Sequence, residues 1–194
     1  MTTEQLRHRM PPILKALKER SLRGRTPVEG LRRTECAYHG WDTVHADAAS
    51  WEPFAPGDAF GGLEAHHCFK GTVTLPEASA GKRVVCLVST GASDIWNNNN
   101  PQFLAYVDGR LVCGLDVNHN EFDLAACAVP GESHELALYV YCNTPARDVF
   151  LRVETAERDD DVTGLYYDLR APYEVCALLA DDDTRAIGIM KHLN

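Results

Sequence analysis

Four clusters of polar side chains in this 194-residue chain have the residue types that binding or catalysis needs. His45-Ala46-Asp47, with Trp51 close behind, has the composition of a metal-ligand pair, but no third or fourth ligand follows at zinc-site spacing. His66-His67-Cys68 places three ligating types in a row. On a strand, His66 and Cys68 share one face and His67 takes the other, so the three do not converge. Asp116, Asn118 and Asn120 begin like a calcium-binding EF-hand loop, yet its sixth position is Glu121 rather than Gly and its twelfth is Cys127 rather than Glu. These spacings assign no metal ion and no cofactor to the chain.

Two clusters suit a sugar better than a metal. Trp96 followed by four asparagines sets an aromatic face beside amides, and Asn118, His119 and Glu121 offer hydrogen-bonding groups. The candidate ligand-binding set is therefore Trp96, Asn118, His119 and Glu121. The opposing reading is structural, because Asn and Asp side chains cap their own turns and tolerate unusual backbone angles. No residue is assigned a catalytic role. A glycosidase needs two carboxylates about 5–9 Å apart around one bond, and the acidic runs at 159–161 and 181–183 read first as helix caps. No Ser/His/Asp arrangement, phosphate loop or dinucleotide fingerprint is present.

The elements that position these groups follow from periodicity. Residues 3–22 read as an amphipathic helix through Leu6, Met10, Ile13, Leu14 and Leu17, with Pro11-Pro12 expected to break or kink it. Residues 23–65 read as irregular, anchored by Trp41, Trp51, Phe54 and Phe60. Strands follow at 66–75 and at 83–90, the second nearly continuous in apolar residues and therefore buried. Asp108-Gly109 forms the turn of a hairpin over 102–115. Short strands at 121–125, 134–142 and 149–155 complete an antiparallel β-sandwich. A helical tail then begins at the caps Asp159-Asp160-Asp161, with Pro172 expected to interrupt it. Asp181-Asp182-Asp183 opens a last helix, whose Ala186, Ile189, Met190 and Leu193 read as an apolar face still uncovered where the chain stops. The domain reading is a basic helical arm over 1–33, a sandwich over 34–158 and a helical linker over 159–194.

Composition narrows the function classes. Net charge is −9, but residues 1–33 carry nine Lys and Arg against three Asp and Glu, leaving −15 on the remainder. An acidic body repels phosphate, so nucleic acid is not an expected partner. The basic helix instead reads as docking on acidic protein surface, its own or a partner's. Seven cysteines without Cys-x-x-Cys spacing fit reduced thiols in a cytoplasmic protein. No apolar stretch approaches the ~18 residues of a membrane span, and the first residues lack a secretory signal.

Three ordered segments together carry a family likeness: GTVTLPEASAGKRVVCLVSTG (71–91), DGRLVCGLDVNHNEFDL (108–124) and YYDLRAPYEVCALLADDDTRAIGIMKHLN (166–194). The chain over about 40–194 resembles the amino-terminal region of glycoside hydrolase family 38 α-mannosidases of the cytosolic or vacuolar type. It departs at Phe60 and Cys68, where such proteins often have Trp. The resemblance implies a mainly β fold, a jelly-roll, galactose-binding-like antiparallel sandwich preceding a catalytic domain, in a parent enzyme that hydrolyses terminal α-mannosides with retention. It also implies zinc held by His and Asp, with an Asp nucleophile, in that missing domain; His45-Ala46-Asp47 is in the wrong place to be the signature. The expected role of this chain is non-catalytic packing on the parent's own catalytic domain. The alternatives are an autonomous carbohydrate-binding module that takes a glycan, and an oligomerisation element acting through the basic helix to form a homo-oligomer.

Overall fold

The computed structural model describes residues 3–91, 101–180 and 182–193. The chain divides into two units, one formed by Gly24–Glu157 and the other by Met1–Arg23 with Arg158–Asn194. In chain order the elements are α1 (Thr3–Ser21), β1 (Leu22–Pro27), β2 (Arg32–Cys36), a 3₁₀ turn (Gly40–His45), β3 (Glu52–Pro53), β4 (Ala59–Thr74) and β5 (Arg83–Ser89). Then come β6 (Gln102–Val107), β7 (Arg110–Leu115), β8 (Glu121–Ala125), β9 (Ser133–Phe150), β10 (Arg152–Arg158), α2 (Asp160–Ala177) and α3 (Thr184–His192). No helix among the described residues is long and apolar enough to cross a membrane.

The strands form a sandwich of a four-stranded sheet, β1-β10-β5-β8, and a six-stranded sheet, β3-β2-β4-β9-β6-β7. The long β4 and β9 pair antiparallel from Ala59↔Phe150 to Thr74↔Ser133 and form the spine of the larger sheet. Alternation decides which side chains face inward. Phe69 on β4 and Leu136, Leu138 and Val140 on β9 meet Cys86, Val88, Phe122 and Val153 from the smaller sheet in one buried core. Phe54, Phe60 and Phe69 pack edge to face there, with ring centroids 4.9–6.3 Å apart, the arrangement that ring quadrupoles favour. β5 lies inside the smaller sheet, and its continuous Val-Val-Cys-Leu-Val run is buried, as its composition requires.

The hairpin forms where Asp108-Gly109 predicts. Both residues have positive φ (51° and 73°), the backbone of a two-residue turn that matches strand twist. The Asp108 carboxylate does more than permit the turn. It accepts a hydrogen bond from the Glu135 amide at 2.8 Å and lies 2.8 Å from His134 Nδ1, tying the hairpin tip to β9. That His134 contact holds the Asp108 carboxyl below its usual range.

The other unit is three helices. Met10 of α1, Cys176 of α2, and Ala186 and Met190 of α3 are buried together, with Leu14, Leu169 and Ile189 against them. The apolar face of the last helix, expected to be uncovered, is therefore packed against α1 and α2. Asp159 and Asp183 cap α2 and α3, accepting from the amides of Val162 and Arg185, as Asp does at helix starts.

Three further expectations are corrected. Pro11-Pro12 does not break α1, and Pro172 does not interrupt α2. Proline at position 11 leaves the Arg7 carbonyl without its usual amide donor, and the Tyr173 hydroxyl of α2 donates to that oxygen at 3.3 Å. Residues 23–65 are not irregular: β1, β2, β3 and the start of β4 lie within them. LRGRTP and RRTEC show no apolar alternation because β1 is an edge strand and β2 has only the two-residue β3 outside it. The first half of β4 escapes periodicity because bulges at Phe60/Gly62 and Leu63/Ala65 shift its register.

Candidate functional site

The face of the six-stranded sheet turned away from the core carries a second ordered cluster. Strand pairing dictates its make-up. Cys36, His66, Tyr141 and Gln102 lie side by side across β2, β4, β9 and β6, and the next row is Thr34, Cys68, Tyr139, Leu104 and Gly114. Part of this face is roofed by the segment between β2 and β3, which buries Val44 and Trp51 against Cys68, Tyr106, Ala137 and Tyr139. Lys70 holds that roof down. Its ammonium donates to the Ala46 carbonyl at 2.9 Å and pairs with Glu135 at 3.1 Å, with only 8% of the side chain exposed.

Beside the roof the face is open, in two adjoining depressions of about 520 and 380 Å³ that share Leu104, Tyr139 and Tyr141. Volumes of ~300–1,000 Å³ are typical of small-molecule sites. The larger depression is rimmed by Tyr38, His39 and Trp41 and floored by Glu64, His66 and the two tyrosines. Its aromatic rings contact one another in sequence: Tyr38 meets His66 edge-on at 5.5 Å, His39 meets Trp41 at 4.6 Å, and Trp41 meets Tyr139 at 6.5 Å. His66 stacks between Tyr139 and Tyr141 at 5.7 and 5.1 Å.

Polar groups fix these rings. The Tyr139 hydroxyl lies 2.8 Å from His66 Nδ1. Burial lowers the His66 pKa, and in either neutral tautomer the ring has one N–H donor and one acceptor nitrogen. The Tyr141 hydroxyl donates to the Glu64 carboxylate at 2.9 Å, and that bond raises the tyrosine's pKa. Glu64 reaches it because it occupies the β4 bulge with φ 53°, a conformation uncommon for Glu. Under the roof, Cys36 and Cys68 bring their sulfurs to 3.6 Å, and the Cys68 contact lowers the Cys36 pKa. All seven cysteines are unbonded thiols.

The residues singled out in the sequence are distributed differently. Trp96 lies outside the described residues. Asp116 accepts from the amides of Asn118 and His119 at 2.8 and 2.7 Å, so the 116–120 loop caps its own turn. His119 is exposed and lines the smaller depression with Gln102 and Asp116. Asn118 is exposed but outside that lining, and Glu121 begins β8 in the other sheet, opposite Leu87. The four candidates are thus not gathered into one described site. His45 is exposed and 6.1 Å edge-on from Tyr106, and Asp47 caps the amide of Ala49. His66 and Cys68 share the outer face, while His67 points into the core, 3.3 Å from the Gly61 carbonyl, with burial lowering its pKa. No three His, Cys, Asp or Glu side chains converge to hold a metal among the described residues.

From sequence alone Trp41 is only a loop anchor, and Tyr38, Glu64, Tyr139 and Tyr141 carry no binding role. The available signal was the second face of β9, where Ala137, Tyr139 and Tyr141 alternate with the core residues; two tyrosines there announce a face only partly given to solvent.

No protein-family model matches the chain, and no curated protein matches it. Solved structures share the sandwich. The β-glucuronidase of Ruminococcus gnavus in complex with D-glucuronic acid aligns with a TM-score of 0.50 at 8% identity, over 70% of this chain and 29% of that one. The Faecalibacterium prausnitzii β-glucuronidase aligns at 0.46 and 13% identity, over 70% and 32%. The Bacteroides uniformis β-glucuronidase aligns at 0.49 and 11%, over 69% and 18%. The chain spans less than a third of the length of these proteins, and at such identity the likeness is one of fold.

Proposed function

We propose that this chain is a non-catalytic β-sandwich domain of a glycoside hydrolase, packing on the catalytic domain of its parent. The observation that carries the reading is the pair of packed antiparallel sheets, a fold it shares with part of the Ruminococcus gnavus β-glucuronidase. Fold alone does not dictate function, so the reading also leans on the ordered segments 71–91, 108–124 and 166–194. These favour a parent that acts on terminal α-mannosides. Any zinc and the carboxylate nucleophile would then belong to the parent's catalytic domain. The unbonded thiols suit a cytoplasmic setting.

The test is the reading frame beyond Asn194. The proposal expects a catalytic domain there, with a His/Asp zinc signature if the parent is an α-mannosidase. A frame that encodes no carbohydrate-active domain would overturn it.

A further inference from the structure

We infer that the open part of the six-stranded sheet's outer face binds the end of an uncharged pyranoside chain, with Trp41 and Tyr38 as stacking surfaces and Glu64, His66 and Tyr141 as the polar floor. The choice of a sugar rests on the carbohydrate-active reading above; the choice of site and of a neutral sugar rests on the geometry. A pyranose has an apolar C–H face and an equator of hydroxyls that both donate and accept. The depression offers the complement. Trp41 is 41% exposed and Tyr38 70% exposed, large rings held at the rim instead of in the core. Below them lie a carboxylate that accepts, an imidazole with a donor, and a phenol fixed by that carboxylate. Aromatic surface with a few fixed polar groups is the general form of a small-ligand site.

Charge narrows the ligand further. Glu64 lies in one depression and Asp116 in the other, and no Lys or Arg lines either among the described residues. Burial lowers the His66 pKa, which disfavours its cationic form. A uronate or phosphate would bring an anion against carboxylates without a cation to receive it, which disfavours binding. The site therefore discriminates against the acidic sugar named for the structurally similar β-glucuronidase complex.

The experiment is titration of the 194-residue chain with methyl α-mannoside, methyl β-glucoside and methyl β-glucuronide, followed by NMR and Trp fluorescence. Saturable shifts at Trp41, Tyr139 and Tyr141 with a neutral glycoside, at least about tenfold tighter than with the glucuronide, are expected. Trp41→Ala removes a surface ring and weakens binding about threefold to tenfold. Glu64→Gln keeps an acceptor for Tyr141 but removes the charge, so the preference for neutral over acidic sugar narrows, which a purely structural role for Glu64 would not produce. Absence of shifts with all three sugars overturns the inference, as does equal or tighter glucuronide binding by the wild type. Sugar binding that Trp41→Ala leaves unchanged overturns the site while leaving the carbohydrate-active reading intact. Failure of that reading shows separately, in the reading frame beyond Asn194.

Discussion

Lys70→Met tests how the site is walled. The Lys70 ammonium donates to the Ala46 carbonyl at 2.9 Å and sits 3.1 Å from Glu135, and it is the bond to Ala46 that fastens the 40–46 turn to β4. Methionine keeps the apolar stem and much of its volume, so packing is largely conserved. What is lost is a hydrogen bond from a charged donor, about 1.5–3 kcal/mol. Glu135 is half-exposed and regains water, so breaking the ion pair adds little. The net expectation is about 2 kcal/mol of destabilisation, a fall of roughly 1 M in urea midpoint at a slope of ~2 kcal/mol/M. Hydrogen exchange localises it: the Ala46 amide, bonded to the Thr43 carbonyl, should lose roughly thirtyfold in protection. Glu135→Gln leaves the Ala46 bond in place and should cost under about 1 kcal/mol. A Lys70→Met midpoint within about 0.3 M of wild type, with Ala46 protection unchanged, would mean that this bond does not hold the turn.

The other expectations concern pH, backbone and helix. Burial holds both His66 and His67 below their ordinary 6.5. The unfolded chain binds more protons there, so stability is greatest above pH 6.5, falls as pH drops through 6.5, and levels off below the folded values. Urea midpoints at about pH 7.5 and pH 5.5 should show the fall, and His67→Leu should reduce it; a midpoint that rises towards pH 5.5 contradicts the assignment. Gly61 has φ 126°, and a Cβ there would lie 2.5 Å from the Ala146 carbonyl oxygen, so Gly61→Ala should cost about 3 kcal/mol. Gly114→Ala, whose Cβ would find only Phe103 O at 3.8 Å, should stay within about 0.5 kcal/mol by denaturant unfolding. Tyr173→Phe removes the hydroxyl that donates to the Arg7 carbonyl opposite Pro11 and should destabilise the helical unit by about 1 kcal/mol, read by exchange in α1.

Much of the scaffold was legible because its signals are local. The Val-Val-Cys-Leu-Val run, the Asp-Gly turn, the 121–125 alternation and the Asp159 and Asp183 caps each state their own geometry within a few residues. β1 and β2 were illegible because an edge strand, and a strand flanked outside only by the two-residue β3, bury little and demand no alternation. At Pro11 the compensating contact is one the sequence does not display: the hydroxyl that donates to the Arg7 carbonyl comes from Tyr173, far along the chain. The depression was hidden in the same way. Tyr38 and Trp41, Glu64 and His66, and Tyr139 and Tyr141 meet only through the registers of β2, β4 and β9, and Glu64 takes part because a bulge turns it there. The polar 116–120 loop, the most conspicuous feature of the sequence, largely bonds to itself.

As the proposed non-catalytic part of a glycoside hydrolase, this chain should lack glycosidase activity of its own. The most direct test is release of p-nitrophenol from a panel of aryl glycosides, including the α-mannoside and the β-glucuronide, by the 194-residue chain and by the full product of its reading frame, each supplied with zinc. Turnover by the full product and none by the chain alone is expected. Turnover by the isolated chain, or a full product inert on every glycoside, would contradict it.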